Sequence, residues 1–146
     1  MKTLKMVVAL CLGLISINVQ AATDWQVITY TDSYVVAIDK NSIASTGAYK
    51  KGWVLYDYQS EQASETPYQN KKYKSALYLQ YVNCPEKTLA SKEELLYSGN
   101  QKQGEVVSTR SGQLSSEAFR EIVPDSIGEA IFDYLCKART QAKSRK

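Results

Sequence analysis

The chain has 146 residues, enough for one domain, with 18 basic against 15 acidic residues and a formal charge of +3. That balance does not call for nucleic acid or an anionic membrane as partner. There is no histidine, which removes the commonest general base, the Ser-His and Cys-His nucleophile pairs and the commonest transition-metal ligand.

The first residues read as a secretory leader rather than as part of the domain. Met1, Lys2 and Lys5 form a short positive stretch, Met6 to Ile17 is apolar, and Val19-Gln20-Ala21 has the small-x-small form of a signal peptidase site. Cleavage is expected after Ala21, giving a signal peptide over 1–21 and a single domain over 22–146. The apolar run is about 12 residues, short of the roughly 20 that span a bilayer, and nothing later in the chain approaches that length. Cys11 follows Leu10 in the middle of this run, not a small residue at its end, so a lipid anchor is not expected. Without Lys2 and Lys5 the balance is 16 basic against 15 acidic residues.

Six strands are expected in chain order. Trp25–Tyr30 and Tyr34–Asp39 flank a short polar turn, Thr31-Asp32-Ser33, and should form an antiparallel hairpin. A third strand runs from about Tyr49 to Tyr58, with Trp53, Leu55 and Asp57 on one face and Val54, Tyr56 and Tyr58 on the other. Gln59 to Lys72 is polar, contains Pro67, and reads as a long exposed connector. The stretch Tyr73–Cys84 is the strongest strand. Its alternation puts Tyr73, Leu77, Leu79 and Tyr81 on one side and Ala76, Tyr78, Val82 and Cys84 on the other. Thr88–Tyr97 has a Lys-Glu-Glu centre that suits a helix locally but is assigned as a strand. Glu105–Thr109 is the last strand, and Ser111–Pro124 is irregular.

The C-terminal element is the clearest helix. Ser126-Ile127-Gly128-Glu129 matches a capping box, and apolar residues recur at Ile127, Ala130, Ile131, Tyr134, Leu135 and Ala138. A helix of about 16 residues is marginal alone in water and must dock on the sheet. Two cysteines, Cys84 and Cys136, remain after leader removal, and in an exported chain a disulfide is the default. On a helical wheel Cys136 falls beside Phe132, at the flank of the apolar stripe, so either the bond forms at the flank of the docked face or the helix loosens there. The fold class is therefore α+β: an antiparallel sheet of about six strands with a C-terminal helix docked on it and tethered by a disulfide.

The residues show little chemistry. The seven glycines are scattered and form no phosphate loop, and two paired cysteines cannot hold zinc. Catalysis by carboxylates alone would fall to Asp39 or Asp57, but turn and edge positions in a sheet account for both. No enzyme, catalytic residue, metal or cofactor is expected. Eleven tyrosines are the strongest compositional feature; they suit binding faces and half-buried strands alike. Lys71, Lys72 and Lys74, beside Tyr68 and Tyr73, form a basic-aromatic cluster suited to an acidic protein or polysaccharide. Lysines at a strand end also simply discourage aggregation. The segment Lys137–Lys146 carries five basic residues and reads as a solvated helix end, with attachment to the cell envelope as the alternative.

Three blocks carry a family likeness: SYVVAIDKNSI (Ser33–Ile43), KKYKSALYLQYVNC (Lys71–Cys84) and VPDSIGEAIFDYLC (Val123–Cys136). In their order, and with the two cysteines, the chain resembles the surface-adhesin protein E family of Gram-negative bacteria. The resemblance implies a six-stranded antiparallel sheet with a disulfide-tethered C-terminal helix, in a form that can be dimeric. It also implies a non-enzymatic role in binding host extracellular-matrix or serum glycoproteins, with Lys71 and Lys72 standing where the family's basic pair falls. An exported protein of the periplasm or the cell surface fits this reading. A periplasmic accessory or inhibitor-type protein without adhesin activity is the alternative.

Overall fold

The structure is a computed structural model that describes residues 23–64 and 71–139. The expected leader, Tyr68 and the basic segment beyond Arg139 lie outside the described residues. Eight strands, β1 (Trp25–Tyr30), β2 (Tyr34–Asp39), β3 (Ala44–Thr46), β4 (Tyr49–Ala63), β5 (Lys72–Asn83), β6 (Thr88–Tyr97), β7 (Val106–Ser111) and β8 (Arg120–Glu121), precede one helix, α1 (Ile127–Lys137). The sheet is antiparallel with the order β1-β2-β4-β5-β6-β7, while β3 pairs with β4 and β8 with β6. Successive strands are neighbours, as short connections favour.

The core forms on one face of the sheet. Val36 and Ile38 of β2, Val54 of β4 and Val82 of β5 pack with Ile43 against Ile131 and Leu135 of α1. Each sheet residue here alternates with one facing the other way, so the period of two in the sequence decides what the helix meets. Gly52 lets the helix come close, because a Cβ there would stand 2.9 Å from Leu135 Cδ2.

β2 and β3 run along the same side of β4, separated by a 3₁₀ turn over Lys40–Ser42. Side chains hold that turn. Asp39 Oδ1 accepts from the backbone N–H of Asp24 and Asn41, and the Ser42 hydroxyl donates to Asp39 O while accepting from Trp53 N at 2.8 Å.

Three expectations are corrected. The Gln59–Lys72 connector is shorter than the sequence suggested, because β4 continues to Ala63, Lys72 already lies in β5, and the two pair through Gln62↔Tyr73 and Ala63↔Lys72. This end of the hairpin is polar and largely exposed, so backbone pairing builds it without an apolar period. An irregularity between Asp57 and Gln62 re-aims the strands there. Tyr73 consequently packs at 5.6 Å on Tyr58, on the helix side of the sheet, instead of alongside Leu77 and Leu79.

The helix is also shorter than expected, 11 residues ending at Lys137, with Ala138 extended. Its N-terminus follows the capping-box reading. The Ser126 hydroxyl accepts from Glu129 N, and the Glu129 carboxylate reaches Asp125 N. The other end is closed from the sheet, where the Lys50 ammonium donates to the carbonyls of Cys136 and Ala138 at 2.9 and 2.6 Å. The disulfide joins Cys84, just past β5, to Cys136 with Cα atoms 5.8 Å apart. It lies at the edge of the docked face.

Candidate functional site

The expected basic-aromatic cluster stands where the β4–β5 hairpin begins its return. Lys71 and Lys72 are exposed, whereas Lys74 is half-buried. Lys72 Nζ is 3.1 Å from Glu61 Oε2 across the hairpin, a surface pair of small energetic weight. Lys71 O accepts from Ser64 N. The structure thus brings Lys71, Lys72 and Tyr73 to one end of the sheet.

Tyr73 belongs to a cluster that the sequence reading missed. Tyr34 packs on Tyr56 at 5.8 Å and on Tyr58 at 5.4 Å, Tyr56 meets Tyr78 edge-on at 5.4 Å, and Tyr58 meets Tyr73 edge-on. Such tilted and edge-to-face contacts suit aromatic quadrupoles. The i, i+2 spacing of Tyr56 and Tyr58 was the available signal for a shared face. The other members come from β2 and β5, and only the strand register brings them in.

A polar chain extends from the cluster. The Tyr78 hydroxyl donates to Glu94 Oε1 at 3.2 Å, and Arg110 Nε lies 3.2 Å from Glu94 Oε2. Glu94 and Arg110 are directly opposite in the β6–β7 ladder, which the sequence did not reveal. With Gln62, Tyr73 and Tyr78 they line a cleft of about 310 Å³.

Burial pushes the Tyr56 hydroxyl up to about 12, with the neighbouring Tyr34 adding to the effect. Tyr58 is raised by burial first and then by Tyr73, and Tyr78 by burial first and then by the Glu94 carboxylate. At neutral pH these phenols are uncharged. They can stack and form hydrogen bonds, but they are not phenolate nucleophiles.

The two carboxylates considered for catalysis serve the backbone. Asp39 holds the turn after β2. Asp57 Oδ1 accepts from Asn100 Nδ2 at 3.0 Å and from Gln101 N at 2.9 Å, and so anchors the loop after β6. Among the described residues, no group of histidine, cysteine, aspartate and glutamate side chains is placed to hold a metal ion. None of the described helices is long and apolar enough to cross a membrane.

The residues thus form an antiparallel sheet with one disulfide-tethered helix and a lysine-tipped hairpin beside a tyrosine cluster. The family model for surface-adhesin protein E matches residues 25–137, and the chain belongs to that family. The fold is similar to solved structures of Haemophilus influenzae protein E. One is 13% identical with a TM-score of 0.51 over 75% of this chain and 87% of that one. A second crystal form is 13% identical with a TM-score of 0.52, covering 80% and 96%, and a selenomethionine form reaches 0.50 at 13% identity, covering 79% and 92%. No curated protein sequence matches the chain.

Proposed function

We propose that this is an exported, non-enzymatic binding protein that engages extracellular-matrix or serum glycoproteins through the lysine-tipped end of its sheet. The observation that carries the reading is the position of Lys71 and Lys72. Both are exposed and consecutive at the polar end of a hairpin that also carries Tyr58 and Tyr73, side chains able to offer rigid contact area. Lys71, Lys72 and Lys74 supply the charge, and Tyr73, with Tyr68 in the adjoining segment, the aromatic surface. Membership of an adhesin family supports a protein partner. The leader Met1–Ala21 supports export to the periplasm or beyond.

Binding of the mature protein to immobilised matrix glycoproteins tests this at two salt concentrations. Affinity should fall as salt rises, and Lys71→Ala/Lys72→Ala should weaken it about twofold to thirtyfold, as loss of two exposed charge contacts at roughly 0.2–1 kcal/mol each implies. A double variant that binds like the parent removes the site from consideration. Protease treatment of intact and permeabilised cells fixes the address. Digestion on intact cells supports surface display, and digestion only after permeabilisation supports a periplasmic partner instead.

A further inference from the structure

The face of the sheet turned away from α1 carries a second cleft, of about 660 Å³, unrelated to the lysine-tipped hairpin. Its floor is Val35, Ala37 and Leu55, the residues that alternate with the helix-facing Val36, Ile38 and Val54. Trp25 and Val27 of the edge strand β1 form one wall, and Val27 is 51% exposed at the mouth. A volume of this size, with an aliphatic floor and a polar rim that includes Asp57, Gln101, Lys102 and Gln103, falls in the range of small-molecule sites.

The opposite rim is a loop built to hold one cation in place. Gln101 and Lys102 are both left-handed, with φ of 51° and 62°, although neither is glycine. Such residues persist where their surroundings over-determine them. Here the surroundings are Asp57, which takes Gln101 N and Asn100 Nδ2, and the fully buried Ser75, whose hydroxyl donates to Gly99 O at 2.7 Å and accepts from Lys102 N at 3.0 Å.

The loop so fixed lays Lys102 Nζ over the Trp25 ring, 4.6 Å from its centroid. Among the described residues, no carboxylate lies within ion-pair distance of Lys102. Asp57 lines the same cleft, and its Oδ1 accepts from Asn100 Nδ2 and Gln101 N, neutral donors that tie this carboxylate to the loop without cancelling its charge. The cleft therefore pairs an aliphatic floor with an ammonium that meets no carboxylate within ion-pair distance among the described residues.

We propose that this cleft binds a small aliphatic carboxylate, with its chain on Val35, Ala37 and Leu55 and its anion at Lys102 beside Trp25. Decanoate, below its micelle-forming concentration, is the probe, and decanol is its neutral match. Trp25 reports binding directly, as the sole tryptophan in a Trp53→Phe background. If that variant does not fold, the Trp25 indole N–H resonance of the unmodified protein serves instead.

Decanoate should shift the Trp25 signal saturably and bind about tenfold tighter than decanol, the equivalent of one ion pair of about 1.4 kcal/mol. Lys102→Met keeps an unbranched side chain over the ring and should erase that tenfold preference while leaving decanol unchanged. Val27→Glu, at an exposed position, places a negative charge at the mouth and should weaken decanoate at least as much. The proposal is overturned if Trp25 shows no saturable response, or if Lys102→Met retains the preference for the acid. Because none of these changes touches Lys71 or Lys72, glycoprotein binding serves as an independent control.

Discussion

At the scale of single residues, the polar side chains inside this sheet are mostly fasteners, and Ser75 is the clearest case. Its hydroxyl meets both ends of the Gly99–Lys102 loop, accepting from the Lys102 N–H and donating to the Gly99 carbonyl. Ser75→Ala leaves those groups unpaired in a dry site and should cost about 1–3 kcal/mol of stability, measured by urea unfolding. A change below about 0.5 kcal/mol would mean that the loop finds other partners. The tyrosine cluster gives a prediction of a different kind. The folded protein keeps the Tyr56, Tyr58 and Tyr78 protons at pH values where an unfolded chain, with tyrosines near 10, has released them. The folded state thus binds more protons, and its advantage is complete below about pH 10 and is lost as pH rises through about 12. Phenolate absorbance should show these three tyrosines ionising later than the exposed ones and in step with loss of the native circular dichroism signal. Ionisation of all eleven together near pH 10 in a still-folded protein would contradict the burial of the cluster.

At the scale of elements, the helix and sheet meet through a glycine. Leu135 is fully buried, and a methyl group on Gly52 would come within 2.9 Å of it. Gly52→Ala should therefore push the helix outward and destabilise the fold by about 1–3 kcal/mol, whereas the exposed Gly112→Ala, with only a 3.9 Å contact, should be nearly neutral. Equal thermal shifts for the two would show that α1 does not seat on Gly52. The elements themselves were largely legible in the sequence. Alternation marked β1, β2 and the Tyr73–Cys84 strand, and Ser126 with Glu129 marked the start of α1 at its observed place. What local pattern could not carry were features fixed by partners far along the chain. The end of α1 depends on Lys50, which lies 86 residues from Cys136, and the polar extension of β4 depends on pairing with β5. The tyrosine cluster needed the register of three strands, and the Glu94–Arg110 pair the register of two. The blocks that carried the family likeness proved to be structural fasteners: Asp39 and Ser42 around one turn, Cys84 after β5, and Ser126 through Cys136 in the helix.

At the scale of the whole molecule, one covalent bond decides how firmly these layers stay together. The sheet is continuous from β1 to β7, but α1 has only 11 residues, too few to persist alone in water. Its hold comes from Ile131 and Leu135 in the core, from Lys50 at its end, and from the disulfide. The bond closes a loop between cysteines 52 positions apart, and the chain-entropy relation gives about 4 kcal/mol for a loop of this length. Small domains have a total stability of about 5–15 kcal/mol, so the bond is a large fraction of the whole without being all of it. Its formation needs an oxidising compartment. Cys84→Ser/Cys136→Ser should accordingly stay folded at 25 °C, with native far-ultraviolet circular dichroism. Its urea midpoint should fall by an amount equivalent to about 2–4 kcal/mol, and reduction of the parent protein should reproduce the loss. Hydrogen exchange should then locate the weakness, with the amides of Ile131–Cys136 losing protection before those of β4 and β5. An unchanged midpoint would mean that burial and the Lys50 contact hold the helix without the bond. Simultaneous loss of protection in helix and sheet would mean that the two cannot separate, and that the bond stabilises the domain as one cooperative unit.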